Sequence, residues 1–79
     1  MKLIQESIDV AYYRDMRPYM ICWRSGTYTI EQIIDTWNSR GPWWGKDEQR
    51  GYILLITSSG VMEIYHSNIQ GWMLSRMYD

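Results

Sequence analysis

Residues 51 to 57, Gly51-Tyr52-Ile53-Leu54-Leu55-Ile56-Thr57, are apolar at nearly every position. The run is short and is followed by the turn signal Ser58-Ser59-Gly60, so it reads as a strand. Successive side chains on a strand point to opposite faces. Ile53 and Leu55 can therefore face a core, while Tyr52, Leu54 and Ile56 face the other way. A strand that is apolar on both sides is either central and covered or lies at an interface. That requirement limits the folds open to the rest of the chain.

Short extended segments surround it. Residues 1 to 7 read as a lead-in. From 7 to 13, Ile8, Val10 and Tyr12 alternate with Asp9 and Ala11, as in a half-buried strand. Arg14-Asp15-Met16-Arg17-Pro18 reads as a turn. Residues 19 to 24 then place Tyr19, Ile21 and Trp23 on one face, and Ser25-Gly26 signals a hairpin into the β-rich Thr27-Tyr28-Thr29-Ile30. Residues 41 to 50, punctuated by Gly41, Pro42 and Gly45, read as a loop with Lys46-Asp47-Glu48 at its tip. Residues 61 to 66 form a further strand. Residues 72 to 78 form the last, with Trp72, Leu74, Arg76 and Tyr78 on one face and Met73, Ser75 and Met77 on the other.

Residues 31 to 40 admit two readings. Ile30, Ile33, Ile34 and Trp37 fall at helical spacing, and Thr29 with Gln32 resembles a capping box. A long strand with a bulge at Ile33-Ile34 also fits, and would bring Trp37 onto the face of Ile30. No internal repeat or low-complexity segment is present.

With 79 residues the chain is expected to be one domain, 1–79, with 8–79 as its β core. It has no Phe, so its 5 Trp and 7 Tyr must supply bulk, and each of their rings brings a polar group that seeks a partner when buried. Cys22 is alone, which excludes an intrachain disulfide and a cysteine-based zinc site. No signal peptide or membrane span is visible, and a cytoplasmic location without membrane association is expected. The net charge is −1, with signs interleaved between residues 14 and 50. No stretch forms the basic pole that strong phosphate binding requires.

The chemistry-bearing candidates are few. Trp43 and Trp44, with Arg40, Lys46 and Arg50 close by, could stack exposed bases and hold phosphates of single-stranded nucleic acid. The same rings could line a groove for an extended peptide. Against both stands a structural role, in which one ring plugs the open end of a small barrel and the other covers it. Cys22 and His66 lack the orienting group of a nucleophile–base set. Asp47 and Glu48 show no calcium-loop spacing, and the scattered glycines show no phosphate-cradling pattern. No catalytic residue, cofactor, metal site or small-molecule substrate is therefore expected. Arg76, alternating with Leu74 and Tyr78, could lay its stem on aromatic surface and place its head against Asp79 or the chain's terminal carboxylate.

Four sets of residues carry a resemblance. They are Trp23-Arg24-Ser25-Gly26-Thr27-Tyr28-Thr29-Ile30; Trp37 with Arg40-Gly41-Pro42-Trp43-Trp44-Gly45; Gly60-Val61-Met62-Glu63-Ile64-Tyr65; and the closing Gly71-Trp72-Met73-Leu74-Ser75-Arg76-Met77-Tyr78-Asp79. Over about residues 8 to 79 the chain resembles a family of small bacterial domains of unknown function. Members of that family are similar to segments attached to, or neighbouring, Y-family translesion DNA polymerase-like proteins. The resemblance implies an all-β, SH3-like fold, a small antiparallel barrel or curled sheet of five or six strands, and it favours the bulged strand over the helix for 31–38. At Leu54 and Ile56 the family pattern is usually more polar. The expected function is a non-catalytic accessory or protein-interaction module, self-association included, in a DNA-repair setting. Leu54 and Ile56 join the tryptophan loop as its candidate surface. Weak single-stranded nucleic-acid binding is the alternative.

Overall fold

The computed structural model describes residues 2–15, 17–43 and 46–78, with the side chains of 41–43 and 46 outside the description. Its elements are β1 (Lys2–Ser7), β2 (Asp9–Tyr12), β3 (Pro18–Trp23), β4 (Gly26–Trp43), β5 (Lys46–Thr57), β6 (Gly60–Ser67) and β7 (Gly71–Tyr78). Every pairing is antiparallel. The seven strands lie in the order β1-β7-β6-β5-β4-β3-β2, curled into a half-barrel. The apolar β5 is the middle strand of that order, as its two-sided character requires.

The two outer strands of the sheet, β1 and β2, are separated in the chain only by Ile8. The Ile8 amide donates to the Trp72 carbonyl at 3.2 Å, so the chain leaves β7 there and crosses to β3. This crossing draws the sheet's ends together and makes one face concave. Ile8, Ile21, Trp23, Leu55, Met62, Ile64 and Leu74 fill that inner face, with Ile4, Val10, Tyr28, Ile30, Ile53, Trp72 and Met77 packed around them. The alternation expected for residues 19 to 24 and 51 to 57 is what supplies Ile21, Trp23, Ile53 and Leu55.

Four expectations are corrected. The lead-in is strand β1, which raises the strand count to seven. Its pattern is obscured because Gln5 adopts φ +57° at a register shift between Leu3 and Glu6. Of the loop expected over 41 to 50, residues 41–43 and 46–50 are instead strand, with β4 and β5 paired out to Trp43 and Lys46, while 44–45 lie outside the described residues. Pro42 is tolerated because β3 accompanies β4 only as far as Thr29, so no ladder on that side needs its N–H. Strand β4 is bulged as expected, but twice, with Glu31 and Ile34 as the extra residues. One bulge would bring Trp37 to the face of Ile30; the second returns it to the opposite, outer face. Strand β7 has a similar shift at Ser75, which leaves Trp72 and Leu74 inside but turns Arg76 and Tyr78 outward. The head of Arg76 accordingly meets Glu63 at 3.3 Å. Asp79, the expected partner, lies outside the described residues.

A polar latch spans the closure. Glu6 on β1 accepts from Trp23 Nε1 at 2.9 Å and from Arg24 Nη2 at 2.8 Å. Arg24, at φ +56° in the β3–β4 turn, holds a position that glycine would take without strain. Its guanidinium lies 4.4 Å from the Trp23 ring centroid. Hydrogen bonds from Arg24 and then Trp23 lower the Glu6 carboxyl below its ordinary 4.5. A lowered carboxylate stabilises the fold above its unfolded value, and that contribution is lost as pH falls through the folded value. Urea midpoints measured between pH 6 and pH 3 should therefore show a steeper acid decline in the wild type than in Glu6→Gln. Parallel declines would show that the latch does not hold in solution.

Candidate interaction surface

The outer face of the sheet is built in rows by the strand registers. Ile56 pairs with Val61, Leu54 with Glu63, Tyr52 with Tyr65, and Arg50 with Ser67. Strand β4 adds Trp37 opposite Tyr52, and β7 adds Arg76 opposite Glu63. Trp37 and Tyr52 stack with centroids 5.3 Å apart and planes 1° from parallel, and Tyr52 continues to Tyr65 at 5.1 Å. The row thus runs from an exposed indole to a fully buried phenol.

Among the described residues no second layer covers this face, and Tyr65 is buried there because side chains close over it. The Arg50 guanidinium sits 4.5 Å from its ring centroid. Its hydroxyl donates to Gln5 Oε1 at 3.2 Å or Gln70 Oε1 at 3.1 Å. Burial pushes the phenol's pKa up, and the nearby Arg50 charge offsets only part of this. The left-handed backbone at Gln5 marks the place where β1 bends to deliver its amide.

Arg50 is itself held by Glu48, whose Oε1 accepts from its Nε and Nη2 at 2.9 Å. Glu48 is 3 % exposed, and its Oε2 accepts from the Ser67 hydroxyl. Ser67 Oγ in turn accepts the Ile69 and Gln70 amides at 3.0 Å. A buried carboxylate therefore ties the β6–β7 turn to β5. Beside this network a concavity of about 490 Å³ opens between Trp37, Tyr52 and Glu63 on one side and Gln5, Ser75 and Arg76 on the other.

Among the described residues, the sequence-derived candidates do not come together as one site. Leu54 and Ile56 lie on the outer face, half-buried, in the rows beside Tyr52. Arg50 sits within the Glu48–Tyr52–Tyr65 network and is not a surface cation, and Glu48 is correspondingly no cation ligand. Arg40 is exposed and faces Asp47 at 3.6 Å on the hairpin arm. The side chains of Trp43, Trp44 and Lys46 lie outside the described residues. Cys22 is half-buried and not part of the core cluster. His66 is exposed and edge-on to Trp72 at 5.0 Å. Among the described residues, no group of three or more His, Cys, Asp or Glu is arranged to hold a metal ion, and no helix is long and apolar enough to cross a membrane.

These features define a small all-β domain, a curled antiparallel sheet with an aromatic and apolar outer face. The chain matches, over residues 1–79, the family described as a domain of unknown function, DUF6504, and it belongs to that family. Comparison with curated proteins and with solved structures gives no match.

Proposed function

We propose that this domain is a non-catalytic interaction module that docks a protein partner on the outer face of β4 and β5. One observation carries the reading. Tyr52, Leu54 and Ile56 form a half-buried line on the central strand, and Trp37, at 38 % exposed, stacks beside it, with no layer above among the described residues. Apolar strips of this kind, rimmed by charge, are typical of docking surfaces. Here the charge beside the strip is the exposed Asp35, and Arg76, which is paired with the buried Glu63. The resemblance adds the setting: a bacterial domain working beside a Y-family translesion polymerase-like protein.

The test is calorimetric titration with such a polymerase-like protein from the same genome. We expect Leu54→Lys and Ile56→Lys to keep the wild-type circular dichroism and thermal midpoint while weakening binding at least about tenfold, the effect of a lost interface anchor. Unfolding of both variants would show that these side chains are core, and unchanged affinity would remove the outer face from the interface. Single-stranded nucleic-acid binding through Trp43 and Trp44 has less support. Arg40 is already matched by Asp47, and Arg50 by Glu48. Trp fluorescence left unchanged by oligo(dT) at low salt would remove that alternative.

A further inference from the structure

We propose that the outer edge of β4, from Glu31 to Arg40, is a strand-addition site for an extended, cationic segment of a protein partner. The proposal rests on the interaction reading above and specifies what the partner presents. Strand β3 pairs with β4 only from Gly26 to Thr29, whereas β5 follows β4 to Trp43. Among the described residues, no strand lies against the other side of β4 beyond Thr29. Its neighbour there begins at Pro18, which has no N–H to extend the ladder. In place of a strand there is a groove of about 320 Å³ between Ile30–Ile33 and a wall of Tyr13, Arg17, Pro18 and Tyr19.

Bare edges are normally protected, because their unpaired amides and carbonyls pair readily with another chain. This edge is flanked by large apolar side chains, Ile33 at 40 %, Ile34 at 47 % and Trp37 at 38 % exposed. An added strand would cover them and pair the backbone at once, which is how sheet edges take up extended peptides. The Thr36 amide already donates to a stand-in acceptor, Asp35 Oδ1, at 2.8 Å. The two bulges confine the regular part of the edge to residues 35 to 40. A segment of about six residues, the usual strand length, spans it.

Charge selects the occupant. Glu31 and Asp35 are exposed, while the ion pairs of the described residues engage Glu6, Asp15, Asp47, Glu48 and Glu63. A second copy laid antiparallel over residues 31 to 35 would set carboxylate against carboxylate, which is unfavourable across a strand pair. Lysine or arginine in an incoming strand would meet them favourably.

The probes are two capped hexapeptides, Lys-Val-Lys-Val-Lys-Val and its glutamate counterpart, read by amide hydrogen exchange on the whole chain. With the lysine peptide, amides within residues 35 to 40 should exchange at least about tenfold more slowly. The glutamate peptide should have no effect, and the double variant Glu31→Lys/Asp35→Lys should reverse the preference. Ile56→Lys, at a position opposite Gln32 and not opposite an acidic residue, should leave this protection unchanged, so failure at the edge is distinguishable from failure on the outer face. The proposal is overturned if neither peptide protects the edge, if both do so equally, or if perturbation is confined to Tyr52, Leu54 and Ile56. Protection that grows with protein concentration in the absence of peptide also overturns it, by assigning the edge to a second copy.

Discussion

Replacing Glu48 with alanine should remove about 3 kcal/mol or more of stability, the usual cost of breaking a buried ion pair from one side. The loss has three sources. Arg50, whose side chain is only 17 % exposed, would keep its charge and lose its carboxylate. Ser67 would lose the acceptor of its hydroxyl. The turn it organises through Ile69 and Gln70 would loosen with it. A domain of this length has a total stability of about 4 to 12 kcal/mol, so the variant should sit near the edge of folding. Urea unfolding measures the effect directly. Glu48→Gln, which keeps the shape of the side chain and one acceptor oxygen, should cost less. The double variant Glu48→Leu/Arg50→Met should recover much of the loss, because it removes both charges together. A shift below about 0.5 kcal/mol for Glu48→Ala, the range of ordinary surface substitutions, would mean that the pair is not buried in solution.

That network was partly legible in the sequence. Glu48, Arg50 and Tyr52 stand two residues apart, so on a strand they share a face. Reading 41 to 50 as a loop hid this, because Gly41, Pro42 and Gly45 outweighed the alternation. Gly41 and Pro42 fit a strand here because, among the described residues, no strand pairs with the far side of β4 beyond Thr29. The inner face was easier to read. Ile21 and Trp23, Ile53 and Leu55, and Trp72 and Leu74 all follow simple alternation, and all pack in or against the core.

What could not be read was parity. Each bulge exchanges the faces of everything beyond it, and a bulge leaves no reliable mark in side-chain chemistry. The shift at Ser75 therefore decides where Arg76 and Tyr78 point, while those at Glu31 and Ile34 cancel in parity for Trp37 and set it opposite Tyr52. The outer surface consequently divides into a legible and an illegible half. Leu54 and Ile56 were apparent because β5 carries no register shift against β6. The Trp37–Tyr52–Tyr65 row was not, because it needs both β4 bulges. Residues 31 to 38 illustrate the same point. Their helical spacing of apolar residues arises from two bulges that interrupt a strand, and the pairing with β5 along the whole segment decides in favour of the strand.

Trp23→Ala should cost about 3–5 kcal/mol, as large-to-small aromatic changes in a core do. The consequence should be specific, because Trp23 stands where the half-barrel closes. It is 8 % exposed, packs in the core cluster with Ile8, Ile21 and Leu74, and its indole N–H reaches Glu6 on the opposite edge of the sheet. Trp23→Phe keeps most of the ring volume but loses that hydrogen bond and leaves Arg24 a weaker aromatic surface. Its cost should be smaller, about 1–2 kcal/mol. The two variants separate packing from latching, and hydrogen exchange locates the damage. In Trp23→Ala, amides of β1 and β2 should lose protection before those of β5 and β6, since the central strands keep both neighbours when the edges part. Uniform loss across all seven strands would instead make the sheet one cooperative unit whose curl does not depend on this side chain. A seam that opens first has a further consequence. It would expose Ile8, Ile21 and Leu74 while the β4–β5 hairpin and its outer face stay folded, so partner binding should outlast closure of the half-barrel as denaturant is raised.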